Sequence, residues 1–186
     1  MWVNGRFVRE HFGGFTTWDC EITEFVTPGR KAVLAVGVID RTDDMSYGSG
    51  YAHHPIGGIL RDVHMLCLPD NYIKSLHTDT TFDKTYTDVV LHLETEFSSA
   101  GSAKLNLQLT DPSGNSVDIQ PASVQLTPDK TTTSVKIGVN SPLKWDGEHP
   151  NLYTLTAGLI SNGKTTETIL RPVSYTHLTL PTIYSV

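Results

Sequence analysis

The chain has 186 residues, a mass near 20.5 kDa and a formal net charge of −6, from 14 Lys plus Arg against 20 Asp plus Glu. That acidic balance, with no cluster of Lys or Arg, excludes a nucleic-acid binder with a basic face. No run of about 18 apolar residues exists to form a membrane-spanning helix, so no membrane partner is expected. Cys20 and Cys67 make neither a disulfide framework nor a zinc site, and no metal or other cofactor is expected.

Met1 leads straight into Trp2-Val3-Asn4-Gly5, which reads as the middle of a β-hairpin. No basic and apolar leader is present, so no signal peptide is read; either the protein begins abruptly or this is an internal piece of a longer one. Strand formers dominate throughout, while 7 Ala and 7 Glu are too few for several surface helices. Trp2-Val3 and Phe7-Val8 flank Asn4-Gly5, a dipeptide suited to the two left-handed positions of a type I′ turn. Trp18, Cys20 and Ile22 alternate with Asp19 and Glu21, which predicts a half-buried strand. Pro28-Gly29 is a turn. Ala32 to Ile39 is an almost continuous apolar run that predicts a buried strand. Residues 40–58 are irregular and rich in Gly, Asp and Ser, a length of loop that is usually functional or mobile. Ile59 to Leu68 predicts a second buried strand, ended by Pro69-Asp70-Asn71.

Beyond that break the pattern is of short strands. Tyr72 to Thr80 and Asp88 to Phe97 come first. Leu105, Leu107 and Leu109 then share one face, and short strands follow at Val117-Ile119 and Val124-Leu126. Val135, Ile137 and Val139 share a face, as do Tyr153, Leu155, Ala157 and Leu159. Asn162-Gly163 turns the chain into a strand over 165–170. About seven short strands over about 100 residues fit an immunoglobulin-like sandwich, without the Cys…Trp…Cys of antibody domains.

Three motifs carry a family resemblance. Trp2-Val3-Asn4-Gly5-Arg6-Phe7-Val8, with Gly13-Gly14-Phe15-Thr16, Ile22-Thr23 and Pro28-Gly29, resembles the end of the N-terminal sugar-binding sandwich of glycoside hydrolase family 2, the β-galactosidase and β-glucuronidase family. Gly57-Gly58-Ile59-Leu60-Arg61-Asp62-Val63 resembles the last-strand motif of that domain. Pro142-Leu143-Lys144-Trp145, then Glu148-His149-Pro150-Asn151-Leu152-Tyr153, resembles the motif of the immunoglobulin-like domain that follows. The resemblance implies an all-β fold: residues 1–71 as the C-terminal part of a galactose-binding-like jelly-roll sandwich, and 72–171 as an immunoglobulin-like β-sandwich. After Arg171 the family pattern stops. Residues 172–186 resemble a translated sequencing-adapter read-through and are expected to be a non-native tail, the plain alternative being a final edge strand.

Each motif also has a structural reading. Asn4-Gly5 is explained by a hairpin turn alone; the resemblance adds that Asn4 lies close to the sugar site of a neighbouring catalytic barrel, with its side chain directed out of the sandwich. Gly57 and Gly58 permit unusual backbone angles. Arg61 and Asp62, adjacent on a strand, point to opposite faces, and Arg61 is expected to act as a structural clamp. Trp145 and Tyr153 are expected as core and hairpin anchors, with Pro150 and Asn151 setting the turn. The resemblance implies one further polar loop residue in the sugar site, for which Asp44, Tyr51 and His54 are candidates. His53 and His54, adjacent on an extended segment, point apart and would not chelate together. Glu94 and Glu96 read as an ordinary solvated strand face, and Cys20 and Cys67 as small apolar core residues.

The chemistry expected from the resemblance lies elsewhere. Glycosidases of this kind use two carboxylates, one following an Asn, on a barrel of about 250 residues. This chain contains no Asn-Glu dipeptide and no room for such a barrel. The expectation is a non-catalytic N-terminal fragment of a retaining β-glycosidase. Its intact parent would take a β-galactoside or related carbohydrate on the barrel, could be a homo-oligomer, and would be bacterial, periplasmic or cytoplasmic. A stand-alone carbohydrate-binding or adhesion module is the alternative.

Overall fold

The computed structural model describes residues 1–13, 16–39, 58–127 and 129–176. The chain divides into two compact units, Met1–Met65 and Leu66–Val186. Among the described residues there is no α-helix.

The first unit holds a small sheet of β1 (Trp2–Val3), β2 (Arg6–Phe7) and β3 (Leu34–Ala35), antiparallel in the order β2-β1-β3. Asn4 (φ 51°) and Gly5 (φ 78°) are both left-handed, the type I′ geometry that matches the twist of the flanking strands. Trp2 faces Phe7 across the hairpin, their rings edge-to-face at 5.7 Å. Gly37 lies against the Trp2 indole so closely that a Cβ there would come within 3.3 Å of the ring.

Three expected strands, two in this unit and one that straddles its end, do not form as expected. Only Leu34–Ala35 of the Ala32–Ile39 run is paired, and Val33, Val36, Val38 and Ile39 are exposed. Residues 59–68 form no strand, and Ile59, Leu60, Val63, Met65, Leu66 and Leu68 are exposed, as is Cys67. Residues 18–22 are also unpaired; Trp18 instead stacks on His11 at 5.4 Å, and a 3₁₀ turn follows at Thr23–Phe25. An apolar run buries itself only against a facing apolar layer. Among the described residues of this unit Val3 alone is buried, so no such layer is present.

The second unit is an immunoglobulin-like β-sandwich. One sheet has the order β4-β5-β9, from β4 (Ile73–Phe82), β5 (Val89–Phe97) and β9 (Thr132–Val139). The other has the order β11-β10-β6-β7 with β8 also on β6, from β6 (Lys104–Thr110), β7 (Ser116–Val117), β8 (Ser123–Gln125), β10 (Tyr153–Ser161) and β11 (Lys164–Val173). All pairings between these strands are antiparallel. The period of two sends Val89, Leu91, Leu93 and Phe97 of β5 inward with Val135, Ile137 and Val139 of β9. They meet Leu105, Leu107 and Leu109 of β6 and Tyr153, Leu155, Ala157 and Leu159 of β10 in one continuous core. Each fully buried Leu contributes about 1.5–3 kcal/mol of transfer free energy. Asn162 and Gly163, again both left-handed, make the β10–β11 turn.

The expected end of the sandwich at residue 171 is too early. β11 runs to Val173, and Val173 and Tyr175 are core residues, 3% and 0% exposed. Pro172 to Thr176 therefore belong to the fold of this unit, because their two inward side chains complete the layer over Tyr153.

Candidate functional site

The hairpin tip is the first place to look for a sugar contact. The Asn4 backbone N–H donates to the Val33 carbonyl at 2.8 Å. Its side-chain Oδ1 accepts from the Val33 N–H at 2.9 Å, and its Nδ2 donates to the Phe25 carbonyl at 2.8 Å. The amide thus ties the turn to two other segments of its own unit. The type I′ tip folds back over residues 25–33 rather than projecting from them. One Nδ2 hydrogen is not used in these bonds, and the residue is exposed. Arg6 supports the same corner, with its guanidinium 4.6 Å over the Phe25 ring and a bond to the Glu24 carbonyl.

Of the other candidates, Asp44, Tyr51, His54 and Gly57 lie outside the described residues. Gly58 has a φ of 97°, the left-handed conformation expected of it. Arg61 and Asp62 stand exposed on a segment that is not a strand, so the opposite-face argument does not apply to them.

The third motif builds one end of the second unit. Trp145 bridges Pro150, and its N–H donates to the Tyr175 carbonyl at 2.9 Å. Asn151 Nδ2 donates to the Lys144 carbonyl at 2.8 Å, closing the loop. The Tyr153 hydroxyl accepts from the Leu143 N–H at 2.9 Å, while its ring meets Tyr175 edge-to-face at 4.9 Å. Trp145, Pro150, Asn151 and Tyr153 thus anchor the connection that carries the chain from β9 in one sheet to β10 in the other.

Three aspartates organise turns in this unit. Asp146 accepts from the N–H groups of His149 and Glu148, Asp83 from the Thr85 hydroxyl and the Thr87 N–H, and Asp111 from the Asn115 side chain and backbone. Those hydrogen bonds hold all three carboxyls below the usual carboxylate range: the His149 N–H first for Asp146, Thr85 first for Asp83, Asn115 first for Asp111. A general acid needs its pKa raised toward neutrality, so these groups are tuned the wrong way for proton donation.

A polar patch that the sequence reading did not single out lies on the outer face of the β4-β5 pair: His77, Asp79, Thr81, His92 and Glu94. His77 stands opposite Glu94 and Asp79 opposite His92, and the Thr81 hydroxyl is 3.0 Å from His92 Nε2. Register, which the alternation of each strand alone does not reveal, brings them together. Among the described residues no group of three or more His, Cys, Asp or Glu is arranged to hold a metal.

Comparison with known proteins places these observations. Residues 71–173 match the family model described as glycosyl hydrolases family 2. A β-galactosidase from Thermoanaerobacterium thermosulfurigenes is 27% identical over 169 residues, which cover 87% of this chain and 24% of that protein. A β-galactosidase from Priestia megaterium is 28% identical over 165 residues, covering 86% of this chain and 16% of its own length. The crystal structure of a Bacteroides uniformis β-glucuronidase superposes with a TM-score of 0.78 at 23% identity, over 94% of this chain and 22% of that one. The chain therefore spans about a quarter or less of these relatives. With that family model matched over residues 71–173, more than half of its length, the chain belongs to the glycosyl hydrolases of family 2.

Proposed function

We propose that this chain is a non-catalytic N-terminal portion of a β-galactosidase-like glycoside hydrolase, whose intact form cleaves a β-galactoside or related β-glycoside. The observation that carries this reading is the family match over residues 71–173 in a chain that spans 24% and 16% of two β-galactosidase relatives. The reaction requires two carboxylates about 5–5.5 Å apart for a retaining double displacement. The described carboxylates with altered acidity are instead spent on turns, and the Asn-Glu pair expected of the family is absent from the sequence. The role of this portion is to hold and orient the catalytic domain and to wall part of its pocket. One of Asp44, Tyr51 and His54 is proposed to approach the sugar, with the remaining Nδ2 hydrogen of Asn4.

The test is twofold. Extending the reading frame should reveal an Asn-Glu pair a few hundred residues downstream; a stop codon or a further sandwich in its place favours a stand-alone carbohydrate-binding module. The purified chain should give no turnover on nitrophenyl β-galactoside or β-glucuronide. Turnover abolished by a glycosidase inhibitor would overturn the non-catalytic assignment.

A further inference from the structure

We propose that the free edge of β4 is a self-association surface, to which a second copy of this chain adds its own β4 antiparallel about a two-fold axis midway between the two Thr78 residues. The argument starts from which backbone groups are spent. In β5 the Phe97 N–H donates toward β9, to the Thr131 carbonyl, while the next N–H, Ser98, donates toward β4, to the Tyr72 carbonyl. The alternation of an antiparallel ladder then assigns Glu96, Glu94, His92 and Val90 to β4, where they face Ser75, His77, Asp79 and Thr81. The backbone groups of Leu76, Thr78 and Thr80 consequently point away from β5. The Thr80 N–H is occupied by a neighbouring side chain, Asp79 Oδ1 at 2.8 Å, as an edge group without a strand partner would be. No described strand pairs with β4 on that side, and Thr78, Asp79 and Thr80 line an open groove there with Pro172, Val173, Ser174 and Thr176.

Natural sheet edges are blunted by bulges, lysines, prolines or a covering group. β4 carries most such devices at its start, the Asp79 cap on the Thr80 N–H being the one beyond it. At the start the register shifts between Ile73 and Ser75, Lys74 stands at the irregularity, and Glu167 of β11 caps the Ile73 N–H at 2.6 Å. From Leu76 to Phe82 there is no bulge, no Pro, no Lys and no Arg. The edge of β11 differs, because Pro172 removes an N–H from it. β9 carries Lys136 and no acid, so self-pairing there gains no charge complementarity.

The β4 sequence is complementary to itself about Thr78. In that register Thr78 faces Thr78 of the partner subunit and Leu76 faces Thr80 of the partner subunit; about four backbone hydrogen bonds form directly, and two more once Asp79 releases the Thr80 N–H on each side. His77 falls opposite the partner's Asp79 on the outer face, once on each side of the axis, as a closed two-fold contact demands. Both side chains are exposed. A register shifted by two residues along either strand loses both His–Asp pairs, so that pairing selects the axis.

Sedimentation velocity on the full chain across a concentration series reads this directly. The chain should dimerise by about 100 µM, a modest affinity typical of a small strand-addition contact. Thr78→Pro deletes an outward N–H without removing a ladder bond to β5, and His77→Asp places like charges opposite each other. Each should raise the dissociation constant at least about tenfold, with far-UV circular dichroism and melting showing that the variant is folded. If Thr78→Pro does not fold, His77→Asp decides. A native chain that is monomeric at about 100 µM, or a dimer of unchanged strength in the folded variants, overturns the proposal. No sugar or catalysis enters the measurement, so its failure is distinct from failure of the glycosidase reading.

Discussion

Removing the Asn4 amide should loosen a defined corner of the first unit. Two side-chain hydrogen bonds, to the Val33 N–H and the Phe25 carbonyl, hold the hairpin to residues 25–33. Each is exposed, so the lower half of the usual net value applies and the pair contributes about 1–2 kcal/mol. Asn4→Gly keeps the left-handed turn, since glycine adopts a φ of 51° without strain, and isolates the loss of the two bonds. The Val33 amide should then exchange with solvent about 5–30-fold faster, the factor that 1–2 kcal/mol of local opening implies. Asn4→Ala should lose about 1 kcal/mol more, because a Cβ disfavours the left-handed conformation. Asn4→Asp keeps an acceptor for Val33 but presents an oxygen to the Phe25 carbonyl, so exchange near Phe25 should rise while Val33 is partly protected. Hydrogen exchange read by NMR or by mass spectrometry of short peptides resolves these residues from the second unit. Unchanged Val33 exchange in Asn4→Gly would refute the clamp and return the residue to a simple turn former.

Two further predictions concern the second unit. Thr95 Oγ1 and the Tyr175 hydroxyl are buried with no hydrogen-bond partner among the described residues. Thr95→Val and Tyr175→Phe should therefore each raise the melting temperature, by relieving a desolvation cost of about 1–3 kcal/mol; a fall in either shows that the hydroxyl is paired. The acid limb of stability should follow Asp83, Asp111 and Asp146. Their folded pKa values are depressed, first by Thr85, Asn115 and the His149 N–H respectively, so their stabilisation is fully present above the ordinary Asp value near about 3.9 and is lost as pH falls below it. Asp111→Asn should flatten the melting-temperature profile over that acid range, and an unaltered profile would count against the carboxylate's role.

The second sandwich was legible where burial and period coincide. Leu105, Leu107 and Leu109, and Tyr153 to Leu159, alternate cleanly because one face of each strand meets a full core. The same hydrophobicity misled at 32–39 and 59–68, where composition specifies a wish to be buried but not whether a facing layer exists. The hairpin turns at Asn4-Gly5 and Asn162-Gly163 were readable because only left-handed positions select that dipeptide. What sequence could not show were bonds between distant segments. The Glu167 cap on Ile73 spans 94 residues, and the Asn4 bond to Val33 spans 29. Likewise, Asp79 and His92 become neighbours only through the β4–β5 register, and Tyr175 lay in a stretch whose resemblance pointed away from the fold.

The tie between Glu167 and Ile73 also bears on how the second sandwich would respond to tension. β4 begins beside Glu167, and its middle residues share a groove with residues that end and follow β11, so β4 and β11 run in the same direction along one seam. A pull applied between Tyr72 and Thr176 therefore acts along the strands from opposite ends of the sandwich. The β4–β5 and β10–β11 ladders are stretched in shear, with their hydrogen bonds strained together, instead of being peeled open one pair at a time. In a multidomain protein such a module would behave as a stiff spacer, passing displacement from one end to the other with little give.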